Sequence, residues 1–233
     1  MVPVCSLTRT SVGARSDVMA PDTLLAWSVV IPVKQLAHAK SRLAELPDPD
    51  RRALALAMAA DTVAAAVRCD LVAAVVVVTD DPLVRATARD LGAEVIPDLP
   101  RAGLNPALVA GAEHAAGRRP GHGRAALTAD LPALAPGDLA GALTAAAATD
   151  LAFVPDAAGT GTTLYAARPE AEFDPRFGPM SRERHRRSGA TELIWPVDSG
   201  LRRDVDTLAD LRRAAAIGLG PRSRPARCGR SGR

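Results

Sequence analysis

The sequence predicts an α/β domain with a mainly parallel, doubly wound sheet flanked by helices, and two observations support this fold class. Short apolar runs rich in Val, Ile and Leu alternate with longer Ala-rich segments of helical character, and four such strand–helix alternations follow one another. Hydrophobic residues make up 48% of the chain but aromatic residues only 3%, which favours helices packed closely on a sheet. A chain of 233 residues is long enough to bury a full core in one such domain.

The predicted strands are apolar runs that are too short to be helices, and the run from 71 to 78 is unbroken. We expect a central strand to begin at 126 and to stop at Asp130, because Pro132 cannot donate a hydrogen bond to a sheet. The remaining predicted strands cover residues 27–33, 71–79, 94–96, 151–155, 164–167, 193–195 and 201–203.

The predicted helices mostly begin at a capping residue followed by proline, as in Asp48-Pro49 and Asn105-Pro106. Ser181 is predicted to be the N-cap of a basic helix, and Gly92 to supply the left-handed stop of an earlier one. The predicted helices cover residues 51–69, 82–91, 106–116, 136–149, 182–188 and 207–217.

Both ends of the chain are predicted to lie outside the domain. Residues 1–25 show no periodicity and are expected to be a disordered leader, and the Arg-rich and Gly-rich residues 219–233 a disordered basic tail, which leaves 26–218 as the folded part. The formal net charge is +3, but residues 221–233 hold five arginines and no acids, so the rest of the chain is at −2. Since the basicity is in the tail and few aromatic residues are present to stack on bases, we reject a nucleic-acid binder.

Cysteine usage and hydropathy predict the compartment. Cys5, Cys69 and Cys228 are far apart and form no CxxC pair, which predicts reduced thiols and a cytoplasmic protein. The sequence shows no signal-peptide core and no long apolar span, so no membrane segment is predicted. The oligomeric state stays open, with a homodimer as one expectation.

Acidic residues follow two of the apolar segments, and this pattern predicts a magnesium site. Asp130 comes after the central strand, where α/β sheets bind ligands. Taken alone it is more often a turn cap, but Asp204 and Asp206 also lie between a short apolar segment and a helix. Two such strand ends brought together would supply the hard oxygen ligands that Mg²⁺ prefers.

Three further segments have the chemistry of anion sites, although each also has an ordinary structural interpretation. The loop after the first strand carries Lys34, Lys40 and Arg42 but none of the glycines of a P-loop or a dinucleotide fingerprint, so side-chain charge would have to hold a phosphate. The run 159–163 offers unhindered backbone N–H groups and hydroxyls. The segment 177–181 leads into a basic helix, whose start would attract an anion together with Arg182, Arg184, His185 and Arg186.

Eight short motifs occur along the chain in a fixed order. They are Val-Ile-Pro-Val-Lys, Ala-Lys-Ser-Arg-Leu, Val-Thr-Asp-Asp, Gly-Leu-Asn, Ala-Asp-Leu-Pro, Gly-Thr-Gly-Thr-Thr, Phe-Gly-Pro-x-Ser with a following His, and Asp-Val-Asp-Thr with Asp-Leu. This ordered set, over about residues 27–218, resembles the guanylyltransferases of deazaflavin coenzyme F(420) biosynthesis, which act on phosphoenolpyruvate or 2-phospho-L-lactate.

This resemblance implies a single-domain Rossmann-like nucleotidyltransferase of GT-A-like form that joins GTP to a three-carbon phosphorylated acid with Mg²⁺ as cofactor. It implies that the phosphate of phosphoenolpyruvate attacks the α-phosphorus of GTP and releases pyrophosphate. The implied site residues are, for the acid, Thr162 or Thr163 with Gly178 and Ser181; for the metal, Asp130, Asp204 and Asp206; for the triphosphate, Lys34, Lys40 and Arg42; and for the nucleoside, Asp98, Gly103 and Asn105.

Several alternatives stay open on the sequence alone. The acid could equally be 2-phospho-L-lactate or 3-phosphoglycerate, because all three carry a carboxylate and a phosphate on three carbons. A molybdenum-cofactor-type nucleotidyltransferase is disfavoured by the absent glycine loop. A non-catalytic nucleotide-sensing module is disfavoured because all three metal acids are present.

Overall fold

A computed structural model of the chain describes residues 24–38, 46–99 and 101–224. Seven strands form one sheet in the order β3-β2-β1-β4-β6-β5-β7. The strands are β1 (Trp27–Pro32), β2 (Val72–Val78), β3 (Glu94–Ile96), β4 (Gly123–Leu127), β5 (Leu151–Pro155), β6 (Thr162–Ala167) and β7 (Thr191–Glu192). The helices are α1 (Asp48–Val67), α2 (Pro82–Asp90), α3 (Leu104–Arg118), α4 (Pro136–Ala146), α5 (Ser181–Arg187) and α6 (Leu208–Ile217), and short 3-10 helices lie at Leu36–His38 and Gly200–Arg202.

The predicted fold class is confirmed. Strands β1, β2, β3 and β4 pair in parallel, β5 pairs in parallel with β7, and β6 runs antiparallel between β4 and β5. The sheet is buried on both faces. Helices α1, α2 and α4 pack on one face through alanine and leucine side chains, whereas α3 covers the other face together with a group of aromatic residues. Within the described ranges, no helix is both long enough and apolar enough to cross a membrane.

Several predicted boundaries are wrong. Strand β4 ends at Leu127, three residues before Asp130. The strand predicted over 193–195 is absent, and the nearby ladder is only the two-residue β7. Residues 201–203 were expected to be a strand but largely belong to a 3-10 helix, because a Ser199 side chain caps the N–H of Leu201 and begins a helical turn there.

The C-terminal boundary predicted at 218 comes too early. Leu219 and Ser223 are buried, and the buried carboxylate of Asp61 in α1 accepts hydrogen bonds from the backbone N–H groups of Arg222 (3.2 Å) and Ser223 (2.7 Å). Sequence periodicity could not reveal this, because the segment is irregular and its partner lies about 160 residues away. Residues 219–224 therefore belong to the domain, while 225–233 and the leader up to residue 23 lie outside the described residues.

Candidate active site

The candidate site lies along the edge of the sheet where the parallel strands end. Strand β1 pairs with β2 on one side and with β4 on the other, so the chain reverses its direction of winding between β1 and β4. In open α/β sheets such a reversal leaves a crevice for ligands. Lys34 follows β1 and Asp130 follows β4, so these two predicted residues flank the reversal.

One side of this edge forms a cleft of about 510 Å³ beyond the ends of β1, β2 and β3 and the start of α3. Three predicted residues line it, namely Lys34 from the triphosphate set and Asp98 and Gly103 from the nucleoside set. They meet because neighbouring parallel strands end at the same edge. Lys40 and Arg42 lie outside the described residues.

Asp98 presents an unsatisfied acceptor in this cleft. Its Oδ1 atom is buried and has no hydrogen-bond partner within the described part of the chain. The neighbouring Asp80 is already engaged, since its carboxylate accepts the backbone N–H of Asp98 (3.3 Å) and the guanidinium Nε–H of Arg101 (3.0 Å). A buried acceptor without a partner costs free energy, so Asp98 is suited to a ligand that carries hydrogen-bond donors.

Asn105 has a different position from the one predicted. Its side-chain amide donates to the backbone oxygen of Phe177 (3.1 Å) and accepts from the backbone N–H of the same residue (2.8 Å). Asn105 does not line the cleft. We therefore assign it to holding the 177–181 segment against α3, and the predicted nucleoside contact is not supported.

Two acidic segments meet around the loop that follows β4. The backbone N–H of Val205 donates to the backbone oxygen of Asp130 (3.1 Å), which brings Asp204 and Asp206 beside it. Burial, and then the charges of Asp130, Asp156 and Asp206, raise the pKa of the Asp204 carboxyl to about 7. The predicted convergence of the two acidic segments is thus found, although the second segment follows a 3-10 helix and not a strand.

Three other segments of the chain contact the loop that carries Asp130. Thr62 of α1 donates its hydroxyl to Ala129 O (3.2 Å) or to Met58 O (2.9 Å) and accepts the N–H of Leu131 (3.1 Å). The N–H of Gly220 donates to Pro132 O (2.7 Å). Gly200 has no side chain where a Cβ would overlap the carbonyl of Ala133, so the segment leading to Asp204 can approach closely. Sequence reasoning did not identify Thr62, because an isolated Thr in a helix carries no distinctive pattern.

The predicted acid-binding segments, 159–163 and 177–181, also meet at this edge. Because β6 is antiparallel to its neighbours, its first residue, Thr162, lies where β4 and β5 end. Asp156 shapes the first segment, since its carboxylate accepts the N–H groups of Thr160 (2.9 Å) and Gly161 (2.8 Å). The second segment contacts the first through the N–H of Arg182, which donates to Thr160 O (3.2 Å).

Irregular backbone shapes both segments. The β5–β6 ladder shifts by one residue between Val154 and Pro155, and this bulge leaves Thr163 without an opposite residue. Gly178 and Met180 both have positive φ angles, +115° and +55°. A left-handed Met costs on the order of 1 kcal/mol or more, and strained backbone of this kind clusters at active sites and ligand-binding loops.

The structure corrects the predictions made for the basic helix. The N-cap of α5 is Met180, whereas Ser181 is its buried first residue. The arginines are engaged with protein groups: Arg182 binds Glu192 and Gly159 O, Arg184 binds Phe177 O, and Arg186 binds Glu192. These side chains hold the loops in place, so the anion site predicted from them is not supported.

His185 of α5 is fully buried, whereas the sequence predicts it to be one of the basic residues of an anion site. Its Nδ1 atom lies 2.9 Å from the Thr162 hydroxyl, and its Nε2 atom accepts the backbone N–H of Arg176 (2.8 Å). Burial, followed by the charges of Arg184 and Arg176, lowers the pKa of His185 to about 4. The imidazole is therefore neutral near pH 7 and is a poor proton acceptor there.

Solved structures with the same architecture are nucleotidyltransferases. A nucleotidyl transferase from Methanothermobacter thermautotroptrophicus aligns with a TM-score of 0.53 at 17% identity, covering 82% of this chain and 97% of that one. A cytidylyltransferase from Leptospira borgpetersenii aligns with a TM-score of 0.53 at 14% identity, covering 86% and 90%. At these identities the likeness shows a shared fold alone.

Sequence relationships identify the family. Residues 27–212 match the family described as guanylyl transferase CofC like. A phosphoenolpyruvate guanylyltransferase from Thermomonospora curvata is 58% identical over 87% of this chain and 89% of its own length. One from Streptosporangium roseum is 53% identical over 84% and 88%. The chain belongs to the CofC-like guanylyl transferase family and is a nucleotidyltransferase.

Proposed function

We propose that this protein transfers GMP from GTP to phosphoenolpyruvate, giving enolpyruvyl-diphospho-5'-guanosine and pyrophosphate, as a step of coenzyme F(420) biosynthesis in the cytoplasm. The supporting observation is the order of three regions along one sheet edge. The cleft with Lys34 and Asp98 lies at one side, the carboxylates around Asp130 follow, and the corner formed by 159–163 and 177–181 comes next. Two phosphorylated substrates bound on either side would meet at the carboxylates.

The cleft suits guanosine triphosphate. Guanine presents the N1–H and the exocyclic amine as donors on one edge. The Asp98 carboxylate oxygen that has no partner in the described part of the chain is an acceptor that adenine could not satisfy in the same way. Lys34 is exposed at the end of β1, between this position and Asp130, where its ammonium group can reach the phosphates.

The acid would be held by fixed donors at the neighbouring corner. Thr162 or Thr163 offers a hydroxyl and a backbone N–H, Gly178 permits close approach of the backbone, and Ser181 begins α5. The bulge at Thr163 and the positive φ angles hold these groups in one arrangement before any ligand binds. Such pre-organisation reduces the ordering cost of binding a small carboxylate.

The chemistry requires positioning more than proton transfer. A phosphate monoester has a second pKa near 6, so the attacking phosphate is already anionic at neutral pH. An oxygen of that phosphate forms a bond to the α-phosphorus of GTP, and the bond from the α-phosphorus to the bridging oxygen of the β-phosphate breaks as pyrophosphate leaves. No general base is needed, which agrees with the low pKa of His185.

Carboxylate oxygens are ligands that Mg²⁺ prefers, and we assign the metal to Asp130, Asp204 and Asp206. Within the described ranges no three His, Cys, Asp or Glu side chains are grouped so that they could hold a metal ion by themselves. Mg²⁺ commonly uses one or two carboxylates and takes its other ligands from substrate phosphates and water, so the pair of acidic segments is sufficient. When bound, Mg²⁺ would offset the repulsion between the two polyanions, which is about 4 kcal/mol per pair of unit charges at ~4 Å and an effective dielectric of 20.

Pyrophosphate release tests the proposal. Purified protein is incubated with Mg²⁺ and GTP, and with phosphoenolpyruvate, 2-phospho-L-lactate or 3-phosphoglycerate in separate reactions. We expect phosphoenolpyruvate to give the highest kcat/KM, and a preference for either other acid would reassign the substrate. Asp98→Asn should reduce the preference for GTP over ATP by about ten- to a hundred-fold, since one or two hydrogen bonds to a charged group are weakened. An unchanged preference would move the guanine contact away from Asp98.

A further inference from the structure

The His185 imidazole joins the two segments of the acid-binding corner. Thr162 is at the start of β6 and Arg176 precedes the 177–181 segment, and both are bonded to the same ring. Aromatic side chains surround the ring: Tyr165 stacks on it with centroids 4.8 Å apart, and Phe177 meets it edge-on at 5.4 Å. This enclosure fixes the orientation of the ring.

The hydrogen bonds determine which nitrogen carries the proton. The backbone N–H of Arg176 can only donate, so Nε2 must be the unprotonated acceptor. In a neutral ring the proton is then on Nδ1, which donates to the Thr162 hydroxyl oxygen. The hydroxyl proton of Thr162 is consequently directed toward another acceptor and away from the imidazole.

We propose that His185 is a positioning residue, which holds the 159–163 and 177–181 segments in register for the phosphorylated acid and orients the Thr162 hydroxyl as a donor. This inference rests on the proposed function for the identity of the ligand. A histidine that only filled the core would not need both nitrogens bonded across the boundary between the two segments. An apolar side chain of similar size would fill the same space without the free-energy cost of removing a polar imidazole from water.

Two near-isosteric variants separate the bonds. His185→Asn places an amide nitrogen near the position of Nδ1, so it can keep the bond to Thr162 and loses the one to Arg176. His185→Gln places an amide oxygen near the position of Nε2, so it can keep the bond to Arg176 and loses the one to Thr162. His185→Phe retains the ring stacking on Tyr165 and loses both bonds.

The measurement is KM for phosphoenolpyruvate and for GTP, with the melting temperature as a control for folding. We expect His185→Phe to raise KM for phosphoenolpyruvate about ten- to a hundred-fold and the two amide variants to be intermediate, with KM for GTP within about two-fold of wild type. Equal changes in both KM values, or no change in either at wild-type stability, would overturn the proposal.

A spectroscopic readout is independent of turnover. Long-range ¹H–¹⁵N spectra should show one histidine, absent from His185→Asn, as the Nδ1–H tautomer that does not titrate between pH 8 and pH 5.5. An Nε2–H tautomer, or titration near 6.5, would overturn the inference. If the wild type releases no pyrophosphate with any of the three acids, the proposed function fails and the acid-binding role of His185 fails with it, whereas the tautomer result still decides whether the ring bridges the segments.

Discussion

Asp61 should hold the end of the chain on the domain, and Asp61→Ala measures how strongly. The carboxylate is buried and accepts the N–H groups of Arg222 and Ser223 at 3.2 and 2.7 Å. A hydrogen bond to a charged group contributes about 1.5–3 kcal/mol, so the pair sets an upper limit of about 3–6 kcal/mol. Since the segment can detach and its N–H groups then bind water, we expect a loss of about 2–4 kcal/mol in the free energy of unfolding.

Urea denaturation followed by circular dichroism provides the measurement. For a domain of this size, the expected loss corresponds to a fall of about 5–15 °C in the melting temperature. The matched control is a chain ending at Arg224, which keeps both hydrogen bonds to Asp61 and should unfold like the wild type. Deletion of residues 221–233 should therefore destabilise the domain, because it removes both donors.

A double-mutant cycle makes the prediction specific. In a chain that ends at Gly218 the donors are absent, so Asp61→Ala should cost less than about 0.5 kcal/mol there. A nearly unchanged free energy of unfolding for Asp61→Ala in the full chain would refute the role of Asp61. An equal loss of unfolding free energy in the shortened chain would refute it too, because the loss would then arise within α1.

Three further predictions concern residues at the edge of the sheet where the candidate site lies. Asp130→Asn should abolish Mg²⁺-dependent pyrophosphate release while leaving the melting temperature near that of the wild type, and near-normal turnover would place the metal elsewhere. Thr62→Val leaves the buried N–H of Leu131 without its acceptor, so it should lower the free energy of unfolding by about 1–3 kcal/mol and also reduce turnover. Urea titration measures the first effect and steady-state kinetics the second. A loss of stability with normal turnover would limit Thr62 to a packing role. Burial, then Arg184 and Arg176, lower the pKa of His185 to about 4, with Asp174 acting in the opposite direction. The unfolded chain therefore binds a proton at His185 below pH 6.5, whereas the folded chain does so only near pH 4. The stability associated with the neutral ring is complete above pH 6.5, and about 3 kcal/mol of unfolding free energy is lost as the pH falls toward 4. Urea titrations at pH 7 and pH 4 should therefore show a smaller acid-induced loss in His185→Gln than in wild type, and equal losses would contradict the assignment.

Part of the candidate site could be predicted from local sequence patterns, because in a parallel sheet the residues that follow the strands lie at the same edge. Lys34 follows β1, whereas Asp98 and Gly103 lie in the loop after β3, yet all three line one cleft. Asp130 and Asp204 likewise meet beside it. The rule that parallel strands end at one edge is sufficient for these residues, and it needs no knowledge of side-chain contacts.

Other residues have functions that local patterns do not indicate. His185 lies in a helix rich in arginine and resembles one more solvated basic residue, but tertiary packing encloses it among aromatic rings. Asn105 has the sequence of a helix cap, yet its amide pairs with the backbone of Phe177, 72 residues away. Asp156 comes directly after β5, and an acid after a strand is the same pattern that pointed to Asp130. This pattern could have indicated that Asp156 lies near the other carboxylates.

The sequence by itself determined the alternation of strands and helices, the parallel character of the sheet and the acids at its carboxyl edge, because these depend on periodicity and on residues adjacent to strand ends. The tertiary structure decided which polar groups already have partners. It showed that the α5 arginines bind protein groups and that Asp61 holds residues 222 and 223. It also showed that one Asp98 carboxylate oxygen has no hydrogen-bond partner among the residues that the structure describes. Hydrogen bonds between residues distant in the chain depend on atomic positions to within a few tenths of an ångström, and a linear pattern does not contain that information.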